Sequence, residues 1–368
     1  MLNTMTNRQM VFIILLSLTS YNVITIPKEM AASAGTGSWL VIFIASVIFG
    51  LFAVIITSLG NRFQGRIISE YSAQLISRPG AMVLSFAYVA YFLFLAVFLV
   101  ATEAKVLQSA FFPKMPFWAF PLFSIPVFCF IANKGITTIA RLCELVGILF
   151  FCTGTLVHLI MLTEGEPNHI LPLFNAAEIN DYLMGLIKTV GPFTPLSVLL
   201  AIPFTKKNGK KSKKAAFFTI IAIGLFYILI VLTSIMKVGI NNIVHYEDAL
   251  IIAIRDTSPE FLEVLARLDI LFLTVGFAGL FMGIAIILTA IVEIFCRIFK
   301  RAGRPVVVAI MGTVIFLLCL VTDGIKDYTQ AATKIKTLSG FVLSMFIPLA
   351  LLIIAKIKNP KSKEKHSA

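Results

Sequence analysis

Polar side chains occupy the middle of the first long apolar segment, where a membrane-spanning helix normally carries leucines. The stretch from 17 to 28 contains Ser20, Tyr21 and Asn22, and Pro27 removes a backbone hydrogen-bond donor shortly afterwards. In hydrocarbon, such groups persist where they are buried in protein or line a cavity. Their hydroxyl and amide groups predict non-covalent binding of a small polar ligand. Polar packing between helices is the alternative.

The sixth apolar segment is interrupted in a similar way. Gly191 and Pro192 predict a break in its helix, with Phe193 and Thr194 at the break. Two interrupted segments, one early and one near the middle of the chain, are typical of a midplane binding site in a transporter-like fold. A proline kink without a ligand is the alternative for the sixth segment.

Other segments contribute candidate residues to the same site. Tyr88 and Tyr91 of the third segment lie on one helix face and are candidate ligand contacts, with ordinary aromatic packing as the alternative. Thr274 and Gly276 of the eighth segment leave space beside the first segment, unless these small residues serve close helix contact.

Charged residues are scarce inside the apolar segments. Arg267 and Asp269 lie at one end of the eighth segment, where we expect a gate or a structural ion pair. No lysine stands at a predicted midplane position, and no acidic residue marks a sodium site, so coupled transport has little support. The sequence contains no catalytic triad, nucleotide fold, zinc spacing or phosphate loop, so we expect neither an enzyme, a cofactor nor a metal site.

The composition is that of an integral membrane protein. Of 368 residues, 59% are hydrophobic and 13% are charged, which a water-soluble domain does not tolerate. With about 20 residues per span, the chain is one transmembrane domain of ten helices, followed by a basic tail at 358–368. The predicted helices are 7–32, 38–60, 80–105, 116–132, 137–162, 182–204, 214–237, 264–298, 305–322 and 335–357.

The net charge of +13 is a topology signal. Most basic residues fall in the connections on one side and in the tail, which predicts that both termini are cytoplasmic. The lysine run at 206–214 is predicted to contact anionic membrane lipid rather than nucleic acid. We expect a surface helix along the inner leaflet within 61–79, and a short helix forming a lid on the outer side within 238–263.

The two interrupted segments stand five spans apart, as a five-plus-five inverted repeat predicts. The first repeat would cover about 7–162 and the second about 182–322, with the tenth helix outside them.

The run from Thr19 to Lys28, followed by Ala34 to Trp39, resembles the start of the spore germination permeases, the B subunits of GerA-type nutrient germinant receptors. Arg267, Asp269 and Phe272 form an Arg-x-Asp-x-x-Phe arrangement similar to that of the family. The resemblance covers almost the whole chain. It implies membership of the amino acid/polyamine/organocation superfamily and a LeuT-like fold with broken helices 1 and 6. Two positions depart from the pattern: Ser20, Tyr21 and Asn22 replace a Gly-x-Gly sequence, and Gly276 replaces a tryptophan.

The resemblance implies a nutrient-sensing subunit in the spore inner membrane, with both termini on the core side. A small germinant, amino-acid-like because a zwitterion matches two helix ends, would bind between helices 1, 3, 6 and 8. It would signal to a larger membrane subunit and a lipoprotein. The alternatives are a secondary active amino-acid or amine transporter and a structural subunit with a degenerate pocket.

Overall fold

The computed structural model describes residues 5–110, 112–175, 178–205, 209–245, 249–255, 257, 268–325 and 328–358. The described chain is helical throughout its regular structure, and the ten predicted segments each coincide with helices. The helices that make up the segments are α1 (Asn7–Ala34), α2 (Ser38–Arg62), α4 (Arg78–Ala110), α5 (Ala119–Asn133), α6 (Ile136–Glu164), α7 (Ile179–Lys188), α8 (Val190–Phe193), α9 (Gly209–Val238), α12 (Leu268–Ile298), α13 (Arg304–Asp323), α14 (Tyr328–Gly340) and α15 (Ile347–Lys358).

Within the described residues, eight helical stretches are long and apolar enough to cross a membrane. One of them, Asn22–Arg62, contains the end of α1 and all of α2, which a short turn at Gly35–Gly37 separates. The helix Ala119–Asn133 is apolar but shorter. If this helix is included and α1 and α2 are counted separately, the described residues contain ten apolar segments, the same number as the predicted spans. The chain is an integral membrane protein.

The predicted break in the first segment is wrong. One helix runs from Asn7 to Ala34 and includes Pro27. Its polar side chains donate hydrogen bonds to carbonyls of their own helix. Thr19 Oγ1 donates to Leu15 O at 2.8 Å, and Asn22 Nδ2 donates to Leu18 O at 2.5 Å. Side chains that bond to the preceding turn are compatible with helical backbone, so the polar run does not require unwinding.

The predicted break in the sixth segment is confirmed. Helix α7 ends at Lys188, a single turn α8 follows, and the chain continues as a 3₁₀ helix from Thr194 to Ala201. Pro192 and Pro195 remove two backbone donors within four residues, which prevents a regular α-helix here. Every residue from Val190 to Ala201 is buried, so this irregular backbone is shielded by protein, as a membrane interior requires.

A second irregular element, which the sequence did not predict, lies in the tenth segment. Between α14 and α15, residues Phe341–Phe346 form a π-helical turn. Such turns are rare and often mark functional positions. The tenth segment is also longer than predicted, because α14 begins at Tyr328.

The predicted surface helix exists as α3 (Ile68–Leu75), with its apolar face packed against protein, and its position along the inner leaflet stays a prediction. Ile68, Tyr71 and Leu75 are at most 2% exposed within the protein, and the Tyr71 ring stacks on Phe63 with a centroid distance of 5.1 Å. Since the apolar face of α3 is already covered by protein, it is not available to lipid.

Two short helices, α10 (Ile240–Ile243) and α11 (Ala249–Arg255), lie in the connection where a lid was expected. Leu250 and Ile254 of α11 are at most 1% exposed, and the helix packs against α1, α9 and α12. It therefore covers one end of the helix bundle. Its action as a lid stays a prediction.

Arg304 joins three helices at the basic end of the bundle. Its guanidinium donates to Glu293 Oε1 of α12 at 2.6 Å, and to Ala132 O near the end of α5 at 3.0 and 3.2 Å. It thus satisfies a terminal helix carbonyl and pairs a carboxylate at the same time.

We expect Arg304→Gln to lower the free energy of unfolding by about 1.5 kcal/mol, because a charge-assisted hydrogen-bond set is lost. Thermal unfolding of purified protein in detergent would show a lower midpoint. Arg301→Gln is the control, since Arg301 is exposed in the adjoining turn and such changes stay within about 0.5 kcal/mol. Equal midpoints for the two variants would contradict the structural role of Arg304.

Candidate functional site

Asn22 connects α1 to the break in the sixth segment. Its side-chain nitrogen donates to Pro192 O at 2.9 Å as well as to Leu18 O, and Tyr227 Oη of α9 donates to Leu18 O at 2.7 Å. Asn22 is only 4% exposed. The predicted pairing of the two polar segments is therefore real, although it uses a side chain rather than two helix ends.

The irregular parts of segments 6 and 10 contact each other. Thr194 Oγ1 donates to Gly191 O at 2.9 Å, and the carbonyl of Thr194 accepts from Ser344 Oγ of the π-helical turn at 2.8 Å. Tyr88 Oη of α4 donates to Leu343 O in the same turn at 2.6 Å. Backbone groups that the irregular turns leave free are thus satisfied by side chains of neighbouring helices.

Tyr91 of α4 faces this contact and carries an unsatisfied group. Its hydroxyl lies beside Thr194, Ser197 and Ser344 and forms no hydrogen bond of regular geometry among the described residues. A buried polar atom without a partner costs free energy.

Three of the predicted site residues lie elsewhere. The Phe193 ring stacks on Phe49 of α2 at a centroid distance of 4.8 Å and packs edge-on against Tyr227 at 5.8 Å. Thr274 is exposed on α12 and donates to Ile270 O at 2.7 Å. Ser20 lies across from α12, where Gly283 has no room for a side chain because a Cβ would lie 2.8 Å from Ser20 Cβ.

Gly276 and Ser20 border a small cavity between α1, α6 and α12. Its volume is about 20 Å³, room for about one water molecule. Apart from Ser20, its lining is apolar: Val23, Ile24, Phe150, Phe272, Leu273, Gly276, Phe277 and Leu280. The space predicted beside the first segment is therefore present but almost closed.

Three predicted positions cannot be placed. The side chains of Tyr21 and Asp269 and the whole of Arg267 lie outside the described residues, so the proposed gate or structural pair stays a prediction.

The interior contains more charge than the sequence indicated. Lys336 of α14 is 3% exposed and Glu103 of α4 is 1% exposed, and neither carboxyl oxygen of Glu103 has a hydrogen-bond partner among the described residues. The sequence analysis did not single out either residue, and both fall at the ends of the predicted spans, which stopped at 105 and began at 335. The helices extend to Ala110 and from Tyr328, so both side chains lie about two turns inside.

Lys336 lies at the break in segment 6. A Cβ on Gly191 would be 3.2 Å from Lys336 Cε and 3.7 Å from its Nζ, and the ammonium sits 4.9 Å from the ring centroid of Phe98 on α4. The polar interior is therefore built by α1, α4, the segment 6 break and segment 10, whereas the sequence predicted segment 8 in place of segment 10.

Solved structures with the same fold are membrane transporters. A substrate-bound Na⁺-coupled sialic acid symporter superposes with a TM-score of 0.65 at 13% identity, covering 93% of this chain and 77% of the symporter. MhsT in complex with L-phenylalanine gives 0.64 at 14% identity, with 96% and 89% covered. A manganese transporter of Eremococcus coleocola gives 0.66 at 12% identity, with 94% and 78% covered. The chain has this LeuT-like all-α fold.

Sequence relatives share more than the fold. Spore germination protein KB of Bacillus subtilis (strain 168) is 23% identical over 363 residues, which are 96% of this chain and 95% of the relative. Spore germination protein YndE of the same organism is 20% identical over 354 residues, 95% and 96% of the two chains. The model of the spore permease family, described as spore germination protein, matches residues 4–327. Together with the fold, this match establishes that the chain belongs to the spore germination permease family and is a membrane protein of the germinant-receptor type.

Proposed function

We propose that this chain is the nutrient-sensing subunit of a spore germinant receptor and binds a small amino-acid-like molecule between α1, α4, the segment 6 break and segment 10. One observation carries the proposal: a buried polar cluster, with Asn22, Tyr91, Thr194 and Lys336, lies at two irregular helix turns inside a membrane protein. Polar groups at this depth are costly and mark functional sites.

Binding would act by shifting a conformational equilibrium. In the structure, Ser344 and Tyr88 hold the π-helical turn against the segment 6 break and α4. A ligand that binds the separated state better would shift the population toward it. That shift would pass to a larger membrane subunit and a lipoprotein, from a position in the spore inner membrane with both termini facing the core.

A ligand screen tests this proposal. Purified full-length protein in detergent would be heated with amino acids, sugars and nucleosides, and a ligand at 100 times its Kd should add about 2.7 kcal/mol of stability. At least one class should raise the unfolding midpoint. If no compound does so, the chain is a structural subunit with a degenerate pocket.

Transport is separated from sensing by a second measurement. The cavity beside Gly276 has an almost wholly apolar lining, whereas hard cations need several oxygen ligands, which favours a sensor over a sodium-coupled transporter. In proteoliposomes containing only this chain, the radiolabelled ligand should not accumulate against its gradient. Gradient-driven accumulation would contradict a pure sensor.

A further inference from the structure

A groove on the surface of the helix bundle lies between one face of α5 and one face of α13. Its volume is about 360 Å³, within the range of about 300–1,000 Å³ that is typical of ligand pockets. Its lining residues recur every three or four positions along each helix, so each helix contributes a single face. They are Pro126, Cys129, Phe130 and Asn133 of α5, and Pro305, Val308 and Ala309 of α13.

The groove has an apolar floor and is open on the side that faces away from the bundle. At the floor the two helices touch, since Cys129 Sγ lies 3.7 Å from Val308 O. Phe130 on one wall is 65% exposed, and Ala309 on the other wall is also exposed. Because α5 and α13 are both apolar helices of a membrane protein, the open side of the groove faces the hydrocarbon.

Basic residues lie at one end of the groove. Lys134 directly follows α5, and its ammonium lies 4.9 Å from the ring centroid of Phe130. Arg301 is exposed in the turn that precedes α13. Among the residues that the structure describes, neither Lys134 nor Arg301 has an acidic partner. The apolar groove therefore ends at two cations without a counter-ion.

Arg304 removes the negative groups that would repel an anion at this end. Its guanidinium donates to the Glu293 carboxylate and to Ala132 O in the last turn of α5. The carbonyl end of a helix carries a partial negative charge, and here the guanidinium neutralises both that charge and the carboxylate. The end of the groove thus favours a negatively charged group.

The length of α5 brings this end close to the lipid headgroups. The helix has 15 residues, so it is about 22 Å long, whereas the hydrocarbon is about 30 Å thick. A membrane accommodates a short apolar helix by local thinning or by snorkelling of the flanking side chains. Asn133 and Lys134 are therefore expected at headgroup depth, with the rest of the groove at the depth of the acyl chains.

We propose that this groove binds an anionic phospholipid, with one acyl chain between α5 and α13 and the headgroup phosphate at Lys134, Arg301 and the Asn133 amide. The inference is independent of the proposed function. An acyl chain gains little by leaving other acyl chains, which are just as apolar. The charge of the headgroup therefore decides which lipid occupies the groove.

A transmembrane helix of a partner subunit fits this groove less well. Helices in membranes approach one another through small residues, whereas the large ring of Phe130 forms one wall and remains 65% exposed. A flexible acyl chain can pass beside such a ring. A phosphate also provides the counter-ion that Lys134 and Arg301 lack, which an apolar helix face does not.

Photo-crosslinking of the purified full-length protein in phosphatidylcholine vesicles tests the inference. The probe is phosphatidylglycerol with a diazirine in one acyl chain, and mass spectrometry of the digested protein locates the label. We expect label on the peptides that contain 126–133 and 305–309. Phosphatidylcholine with the same diazirine should label them at least about tenfold less, because each basic residue near an anionic headgroup contributes a preference of about fivefold.

A variant that fills the groove links the label to this site. Ala309→Phe places a ring in the groove and should abolish the preferential labelling of both peptides. Ile310→Phe is the matched control, because Ile310 is exposed on the same helix and does not line the groove. Both variants should keep the wild-type unfolding midpoint in detergent, since both changed side chains are exposed.

A second variant tests the charges without changing the shape of the groove. Lys134→Gln with Arg301→Gln should lower the preference for phosphatidylglycerol over phosphatidylcholine at least about tenfold. Arg66→Gln with Lys211→Gln is its control, since it removes the same charge from two exposed residues that do not line the groove. The control should keep the preference of the wild type.

Three results would overturn the inference: equal labelling by the two lipids, unchanged labelling in Ala309→Phe, or an equal loss of preference in the two charge variants. If Ala309→Phe kept the lipid label but prevented a membrane partner subunit from co-purifying with the chain, the groove would be a protein interface instead. None of these results bears on the binding of a germinant inside the bundle.

Discussion

Gly340→Ala is expected to destabilise the protein by about 3 kcal/mol and to abolish the germination response, although alanine normally strengthens a helix. Gly340 has helical dihedral angles, φ −63° and ψ −41°, at which alanine is favoured by about 1 kcal/mol. Here a Cβ would lie 2.6 Å from Thr194 Cβ and 3.4 Å from Tyr91 Oη. A Cβ atom cannot rotate away from its backbone, so α14 must move off the segment 6 break, and overpacking of this kind costs about 1–3 kcal/mol or more.

Two measurements examine this variant: the unfolding midpoint of the purified protein, and the nutrient-triggered germination of spores that carry it. Gly324→Ala is the control, because Gly324 also has negative φ and a Cβ there meets nothing within 4 Å. It should be neutral or slightly stabilising. If Gly340→Ala raised the midpoint as Gly324→Ala does, the close contact between segments 6 and 10 would not exist.

Asn22→Leu is expected to lower stability by about 2 kcal/mol and to weaken ligand binding. Leucine keeps the shape of asparagine but cannot donate to Pro192 O, a carbonyl in the buried segment 6 break. A buried group that loses its partner costs about 1–3 kcal/mol. The link from α1 to the break would be lost, and with it the coupling between the two halves of the site.

Thr19→Val serves as the matched control for Asn22→Leu. Thr19 is also fully buried, but its hydroxyl donates only within α1, to Leu15 O at 2.8 Å. Thermal unfolding and ligand titration should show a much smaller effect for this variant, since its helix carbonyl already has a backbone partner. A larger loss in Thr19→Val than in Asn22→Leu would indicate that the polar side chains of α1 act within the helix and not across it.

The sequence was sufficient for the number of spans and for the break in segment 6. A membrane span can be predicted locally, because crossing the hydrocarbon requires about 20 consecutive, mostly apolar residues in a helix that satisfies its own backbone. Gly191 and Pro192 predict the break because glycine weakens a helix and the missing N–H of proline acts on its own turn. Family resemblance, which rested on order and spacing along the whole chain, was likewise confirmed by the match over residues 4–327.

The first segment shows a feature that its local sequence did not predict correctly. Thr19 and Asn22 looked like signs of an unwound helix, but both donate to carbonyls of the preceding turn. Polar side chains can form hydrogen bonds both in a continuous helix and at a break. The choice depends on which partner, such as Pro192, lies opposite.

The direction of side chains after the break was also outside the reach of the sequence. A 3₁₀ helix turns by about 120° per residue and an α-helix by about 100°. Across a break such as 190–194, the face on which Phe193 emerges therefore depends on the local conformation. Its ring packs between α2 and α9, whereas Thr194 turns toward segment 10.

The sequence by itself determined that this is a helical membrane protein of the spore germination permease family with an interrupted sixth segment. Only the tertiary structure decided that segment 10 completes the polar interior. Lys336 and Gly191 are 145 positions apart in the chain. The burial of Lys336 depends on how α14 packs against Gly191 and Phe98, a contact between distant helices that the local sequence around Lys336 does not specify.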